Sequence, residues 1–347
     1  MKNVVVVGYG GMGAWHVDYI KKSDVVSLSG IYDISPERTA IAKKNNINTY
    51  ASLDQVLSDP TVDIILIATP NDVHKEIAVK ALSAGKNVIS EKPVTLSSDD
   101  LAEMIKAAKQ SGKLFTVHQN RRWDNDFLSI KEVFNSGTLG DVFNIESRVH
   151  GSRGIPGDWR GRKEQGGGMM LDWGVHIIDQ MLLMVPGKIK KLYARFDNIT
   201  NYEVDDGFKL ELIFDKGIRA FLEVGTSNFI SLPRWYMQGE NGTAVINDFS
   251  CEGKIICVEN WDEKDVIPVK TAAGLTKTMA PRKDDTIVTH ELPQFDADVH
   301  DFYRNVVKAI NGEEQQIVTH EQLMRVMKVM EAAFESNNSG QVLSIEL

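Results

Sequence analysis

Cysteine is scarce in this chain of 347 residues: there are two, Cys251 and Cys257, and neither neighbours an obvious base. Reduced core thiols are expected, with no disulfide framework. The eight histidines show no HExxH or CxxC spacing, so no metal site is expected. A basic surplus is also lacking. The net charge of −9 argues against nucleic acid, whose binding needs clustered Lys and Arg. No basic amphipathic stretch suggests a membrane surface, and no apolar run approaches the ~20 residues that span a bilayer. Met1-Lys2-Asn3 runs straight into an apolar strand, so we expect a cytoplasmic protein without a leader. Repeats and low-complexity tracts are missing too. The length leaves room for two domains, each with its own core.

What is present begins at the amino end. Val4 to Val7 form a β-branched run, followed without a gap by Gly8-Tyr9-Gly10-Gly11-Met12-Gly13. Gly8 permits a tight turn, Gly10 lets the backbone approach a pyrophosphate, and Gly13 lets the next helix pack on the sheet. Gly11 and Met12 complete that loop, and the phosphates would sit on amide N–H groups at the helix's positive end. A second apolar run ends in Asp33, about 20 residues past the glycines, where a carboxylate takes ribose hydroxyls. That acid would repel a 2′-phosphate, so NAD is expected over NADP. Arg38 is placed on the helix surface rather than at such a phosphate.

Helices are expected over 36–45, 52–58, 74–84 and 97–110, and strands over 63–68, 87–90 and 114–118. We read these as a six-strand, doubly wound parallel sheet of Rossmann type, filling an NAD-binding domain over residues 1–121. From residue 122 the pattern changes. A helix over 127–135, a strand over 142–150 and a helix over 170–184 precede alternating runs over 191–197, 207–214, 218–226, 235–239 and 243–247. Asp215-Lys216-Gly217 and Glu240-Asn241-Gly242 carry hairpin chemistry. Residues 122–347 are therefore expected to form an α/β substrate-binding and oligomerisation domain. Its sheet should be open and largely antiparallel, with closing helices near 298–310 and 321–336 and a surface loop over 272–290. An uncovered amphipathic sheet needs burial, which predicts a homodimer or homotetramer.

Two constellations carry chemistry. Glu91-Lys92-Pro93 follows the strand over 87–90, and a lysine past the carboxyl end of a parallel strand points into the ligand crevice. A solvated surface lysine is the other reading. Gly166-Gly167-Gly168 lets backbone pass close to a ligand, and in the helix beyond it Asp172, His176 and Asp179 share one face. An otherwise apolar helix would bury that polar stripe unless it lines a site, although Asp172 and His176 could instead satisfy each other.

Together with Ala68-Thr69-Pro70-Asn71 and His74, these motifs resemble the glucose–fructose oxidoreductase / inositol dehydrogenase / rhizopine-catabolism family, in order along nearly the whole chain. The resemblance implies a catalytic trio of Lys92, Asp172 and His176. It places Thr69, Asn71, His74 and Glu91 along the cofactor and brings Trp159-Arg160 toward nicotinamide or substrate. Asn120-Arg121-Arg122 resembles the interdomain segment, whose arginines would touch cofactor or substrate, Arg122 being the substrate candidate, or would only brace the interface. The implied reaction moves a hydride between nicotinamide and a secondary hydroxyl of a sugar, glycoside or cyclic polyol. His176 would act as base, oriented by Asp172, with Lys92 at the same oxygen; Lys92 and His176 could exchange roles. A redox-neutral glycosidase that retains NAD would use the same residues. A sugar-sensing regulator would be expected to lack some of the trio.

Overall fold

Val4 to Val7 are at most 2% exposed, as a strand covered on both faces must be. In the computed structural model, which describes residues 1–261, 268–277 and 279–347, they belong to β1 (Lys2–Val7). β1 sits inside a five-stranded parallel sheet with β2 (Val26–Tyr32), β3 (Ile64–Ile67), β4 (Asn87–Ser90) and β5 (Phe115–Val117), in the order β2-β1-β3-β4-β5. The crossovers are α1 (Gly11–Ile20), α2 (Pro36–Lys44), α3 (Leu53–Ser58), α4 (His74–Ser83) and α5 (Ser98–Ser111). Ser97 caps α5 by accepting from the Asp100 amide at 3.2 Å. The strand order reverses between β1 and β3, which opens a crevice at their carboxyl ends.

The expected sixth strand is absent from the sheet. After α2 the chain makes a single parallel bridge, Ile31 to Thr49, and turns at once into α3, whose N-cap Ser52 accepts from the Gln55 amide.

α6 (Asn125–Ser136) leads to a nine-stranded sheet. Its strands are β6 (Val142–His150), β7 (Ile189–Asp197), β8 (Gly207–Phe214), β9 (Arg219–Gly225), β10 (Trp235–Gly239), β11 (Gly242–Ile246), β12 (Gly253–Val258), β15 (Ile287–His290) and β16 (Leu343–Ser344); β13 (Val269–Thr271) and β14 (Gly274–Thr276) form a separate hairpin. The order is β15-β12-β11-β10-β6-β9-β8-β7-β16. Only the β6–β9 pair is parallel, so the sheet is mixed but largely antiparallel. Within the expected 272–290 loop, Gly274–Thr276 and Ile287–His290 are strand and Asp284–Thr286 is a 3-10 turn, and residue 278 lies outside the described residues. Ile287-Val288-Thr289 is β-branched, but its polar flanks mask an edge strand.

α7 (Val175–Met184), α8 (His300–Ile310) and α9 (His320–Ser339) complete the fold, and α9 packs against both β7 and α5. A capping box of Thr319 and Gln322 starts α9. Only Cys257 is a core thiol. Cys251 is half-buried at φ +64° in the turn before β12, which corrects the expectation of two core thiols. No described helix is long and apolar enough to cross a membrane.

Candidate active site

The glycine loop closes as the spacing predicts, for reasons the geometry makes explicit. A Cβ on Gly8 would stand 2.6 Å from the Ala68 carbonyl oxygen, and one on Gly13 would stand 1.9 Å from that of Gly8. Gly10 and Gly11 differ: nothing lies within 4 Å of a Cβ on either. The first turn of α1 holds no acidic side chain and no side-chain cap, so its N–H groups face that open space. Such a cradle fits a pyrophosphate. Asp33 ends β2's connection, with Oδ2 accepting from the Tyr9 amide at 2.6 Å and Oδ1 from the Ser35 amide at 2.8 Å. Arg38 lies exposed on α2.

The tips of β3 and β4 meet beside this cradle. Thr69 Oγ1 is buried with no hydrogen-bond partner, as a group waiting for a ligand would be. Asn71 Nδ2 donates to the Gly166 carbonyl oxygen at 2.9 Å, tying the crevice to the triple glycine. The polar atoms of His74 and Glu91 are engaged by protein groups. His74 is buried, with ring nitrogens 3.0 Å from the Thr69 carbonyl and 3.1 Å from that of Pro93. Glu91 Oε1 receives His16 Nε2 at 2.7 Å and His118 Nδ1 at 2.9 Å, while Oε2 accepts the Lys92 amide at 3.1 Å. His16 Nδ1 in turn meets the Tyr303 hydroxyl at 2.6 Å. Burial works against an anion here, but the His118 and His16 donors outweigh it and hold the Glu91 carboxyl well below its usual range. His74 and Glu91 therefore brace the strand tips.

Lys92 reaches across to the second half of the chain. Its Nζ donates to Asp172 Oδ1 at 2.8 Å and to the Asp172 carbonyl at 2.9 Å. Asp172 Oδ2 also accepts from Arg160 Nε at 3.3 Å. Desolvation alone would raise the Asp172 carboxyl, but the Lys92 and Arg160 charges lower it. Asp172 does not orient His176, which corrects the expected couple. Residues Met170–Gly174 form a π-type turn before α7, so Asp172 and His176 lose the α-helical i,i+4 relation. His176 is buried and its Nδ1 has no partner. Burial first, then the charges of Lys92 and Arg121, push its imidazole well below 6.5. Nε2 is not among the enclosed, unpartnered atoms and has no hydrogen bond to a described residue.

Other expected residues separate into two groups. Trp159 and Arg160 stand at the mouth in a short turn, with the Arg160 guanidinium 4.6 Å over the indole. The Arg122 guanidinium is engaged elsewhere: it holds buried Asp179 in two bonds of 2.7 and 2.6 Å, and also donates to the Ile317 carbonyl and to Gln322. Asp179 is thereby removed from the polar stripe. Arg121 comes instead, stacked 4.0 Å over Trp173, between the Asp172 turn and Phe249. The triple glycine is packed against protein: Cβ atoms on Gly166, Gly167 and Gly168 would strike Leu96, the Arg160 carbonyl and Asp205. His16, His118, Tyr303 and Asp205 have no local signal in the sequence.

Residues 2–119 match the NAD-binding Rossmann-fold domain of an oxidoreductase family, and residues 127–245 match the GFO/IDH/MocA C-terminal domain. The chain belongs to this family of NAD-binding oxidoreductases. It is 27% identical over 347 residues to scyllo-inositol 2-dehydrogenase (NADP(+)) IolW of Bacillus subtilis, covering 99% of this chain and 96% of that one. It is 29% identical over 261 residues to the 2,7-anhydro-N-acetylneuraminate hydratase of Escherichia coli, covering 71% and 68%. Among solved structures, an NAD-binding protein from Listeria innocua superposes with a TM-score of 0.96 at 45% identity, over 99% of each chain.

Proposed function

We propose that the protein is a cytoplasmic, NAD-dependent oxidoreductase acting on a secondary hydroxyl of a sugar, glycoside or cyclic polyol. Residues 1–121 would hold the nucleotide and residues 122–347 the substrate. The observation that carries this reading is the Lys92–Asp172 contact of 2.8 Å, made beside an open glycine cradle. The cradle of Gly8, Gly10, Gly11, Met12 and Gly13, with Asp33, Thr69 and Asn71, would hold the dinucleotide. Bound nicotinamide would supply the hydride acceptor.

Lys92, held by Asp172, presents a fixed cation to the substrate oxygen and stabilises negative charge developing there. His176 is neutral at working pH, and with Nδ1 enclosed its Nε2 is the atom that accepts the hydroxyl proton. Asp172 serves Lys92 rather than the imidazole. Trp159 and Arg160 close the mouth over the substrate. The inositol dehydrogenase relative supports a cyclic polyol or sugar substrate. Its NADP(+) preference leaves Asp33 as the support for NAD in this chain. The hydratase relative favours a second reading, in which NAD stays bound through a redox-neutral reaction.

The open face of the larger sheet carries paired charges, Arg148 to Glu223 at 3.2 Å and Lys209 to Glu223 at 3.7 Å, and we assign it to a homodimer or homotetramer. The deciding experiment supplies NAD with inositols, free sugars and glycosides in parallel. Free NADH from a polyol or sugar supports the dehydrogenase. Released aglycone without NADH supports the redox-neutral route, and neither outcome with any substrate removes the reading.

A further inference from the structure

The turn bearing Asp172 is held by a carboxyl group outside the trio. Asp205 lies just before β8, 6% exposed. Its Oδ2 accepts the Met170 amide at 2.7 Å, and its carbonyl oxygen accepts the Met169 amide at 3.0 Å. Gly168, at φ +106°, passes so close that a Cβ there would stand 2.3 Å from Asp205 Oδ1. These contacts fix the position and direction from which the π-type turn starts, and Asp172 projects from that turn. An anion at a helix start also complements the free N–H groups of the first turn.

The next residue holds the opposite wall. Asp206 accepts from the Ile199 amide at 3.0 Å, the Asn201 amide at 3.2 Å and both the amide and hydroxyl of Thr200. Asn201 Nδ2 then donates to the Gly161 carbonyl at 3.1 Å, in the turn carrying Trp159 and Arg160. Consecutive residues thus anchor the turn that bears Asp172 and, through Asn201, the turn whose Arg160 reaches Asp172.

We propose that Asp205 is a positioning residue for the reaction assigned above: without touching substrate or cofactor, its side-chain oxygen sets where Asp172 meets Lys92. The claim rests on the reading of Lys92, Asp172 and His176 as the reacting groups. Burial, with Asp206 as the neighbouring charge, pushes the Asp205 carboxyl up to about 7. The group is therefore only partly ionised at neutral pH, and the placement of its acceptor oxygen carries the role more than its charge does. Asparagine of the same shape should do the same work, and alanine should not.

The test compares D205A and D205N with the parent enzyme, counting competent sites by NADH titration. Misplaced catalytic groups lose large factors in rate, so D205A should lose ~10-fold or more in kcat per NADH-binding site, with NADH affinity held within ~3-fold. D205N should recover most of that loss. In the ligand-free protein, amide exchange at Met170 should quicken by ~10-fold or more in D205A and stay slow in D205N. If D205A does not fold, D205S, whose hydroxyl falls short of the Met170 amide, is measured in its place. Unchanged kcat per site in the alanine or serine variant, or unchanged exchange at Met170, would overturn the proposal. Should the parent enzyme turn over no sugar or polyol, the functional reading fails, and the exchange comparison still decides whether Asp205 holds the turn.

Discussion

Lys92 Nζ lies 2.8 Å from Asp172 Oδ1, joining the tip of β4 to the turn before α7 across 80 positions of sequence. The pair is 15% and 13% exposed, so each charge is largely shielded from water and faces the other as its counter-ion. Removing one partner leaves the survivor's charge largely buried without that counter-ion.

Lys92→Met keeps the apolar stem and deletes the cation. We expect kcat to fall by ~10²-fold or more, with NADH affinity near that of the parent. His176→Ala should lower kcat on a similar scale through loss of the proton acceptor. Steady-state rates beside NADH titration measure both, and near-parental turnover in either variant removes that residue from the mechanism.

Asp33 carries the proposed preference for NAD. Its two oxygens already hold the Tyr9 and Ser35 amides, so the carboxylate is fixed in place and cannot swing away from a 2′-phosphate. Asp33→Ser should shift the NAD-to-NADP ratio of kcat/KM toward NADP by ~10-fold or more, equivalent to about 1.4 kcal/mol. A parental ratio would show that the discrimination lies elsewhere.

Glu91 gives a prediction about stability. In Glu91→Gln the shape survives, but the imidazole donors of His16 and His118 lose their anionic acceptor inside the core. A hydrogen bond to a buried charge contributes about 1.5–3 kcal/mol, so the unfolding free energy read from a urea titration should fall by an amount of that order. Because the Lys92 amide bonds to Glu91 Oε2, kcat should fall with it. A variant as stable as the parent would mean that the buried histidines find other partners.

The first sheet was legible because each of its strands is a local apolar run bounded by turn residues, and because Gly8 and Gly13 are required by contacts within the motif itself. The Lys92 and Asp172 candidates were legible as motif positions. Their pairing was not, since a 3.6-residue period assigns Asp172 to His176 and cannot register a π-type turn. Arg122 and Asp179 illustrate the same limit: each looks like a site residue alone, and only tertiary packing, 57 positions apart, shows them neutralising each other in the interior. The triple glycine was assigned to ligand approach, whereas Arg160 and Asp205 occupy that space. A close backbone approach is readable from glycine; the group approached is not.

Asp205 makes stability depend on pH in a direction opposite to that of an ordinary paired carboxylate. Its folded value is about 7 against an ordinary 3.8, so between those limits the folded chain holds a proton that the unfolded chain has released. The stabilisation from this group is therefore complete below about pH 4 and is lost as pH rises through about 7, at up to about 1.4 kcal/mol per pH unit. His16, His74 and His176, all pushed down by burial, run the other way, because their unfolded imidazoles take protons near pH 6.5 while the folded ones resist. The parent's own curve mixes these contributions. The difference between parent and D205N isolates one of them, since asparagine does not titrate and the histidines are common to both. Thermal or urea midpoints measured from about pH 5 to 8 should show the parent losing ground to D205N by several degrees up to about pH 7 and levelling off above it. A difference that stays flat would mean that Asp205 is ionised throughout, and that the Met170 amide it accepts compensates for its burial.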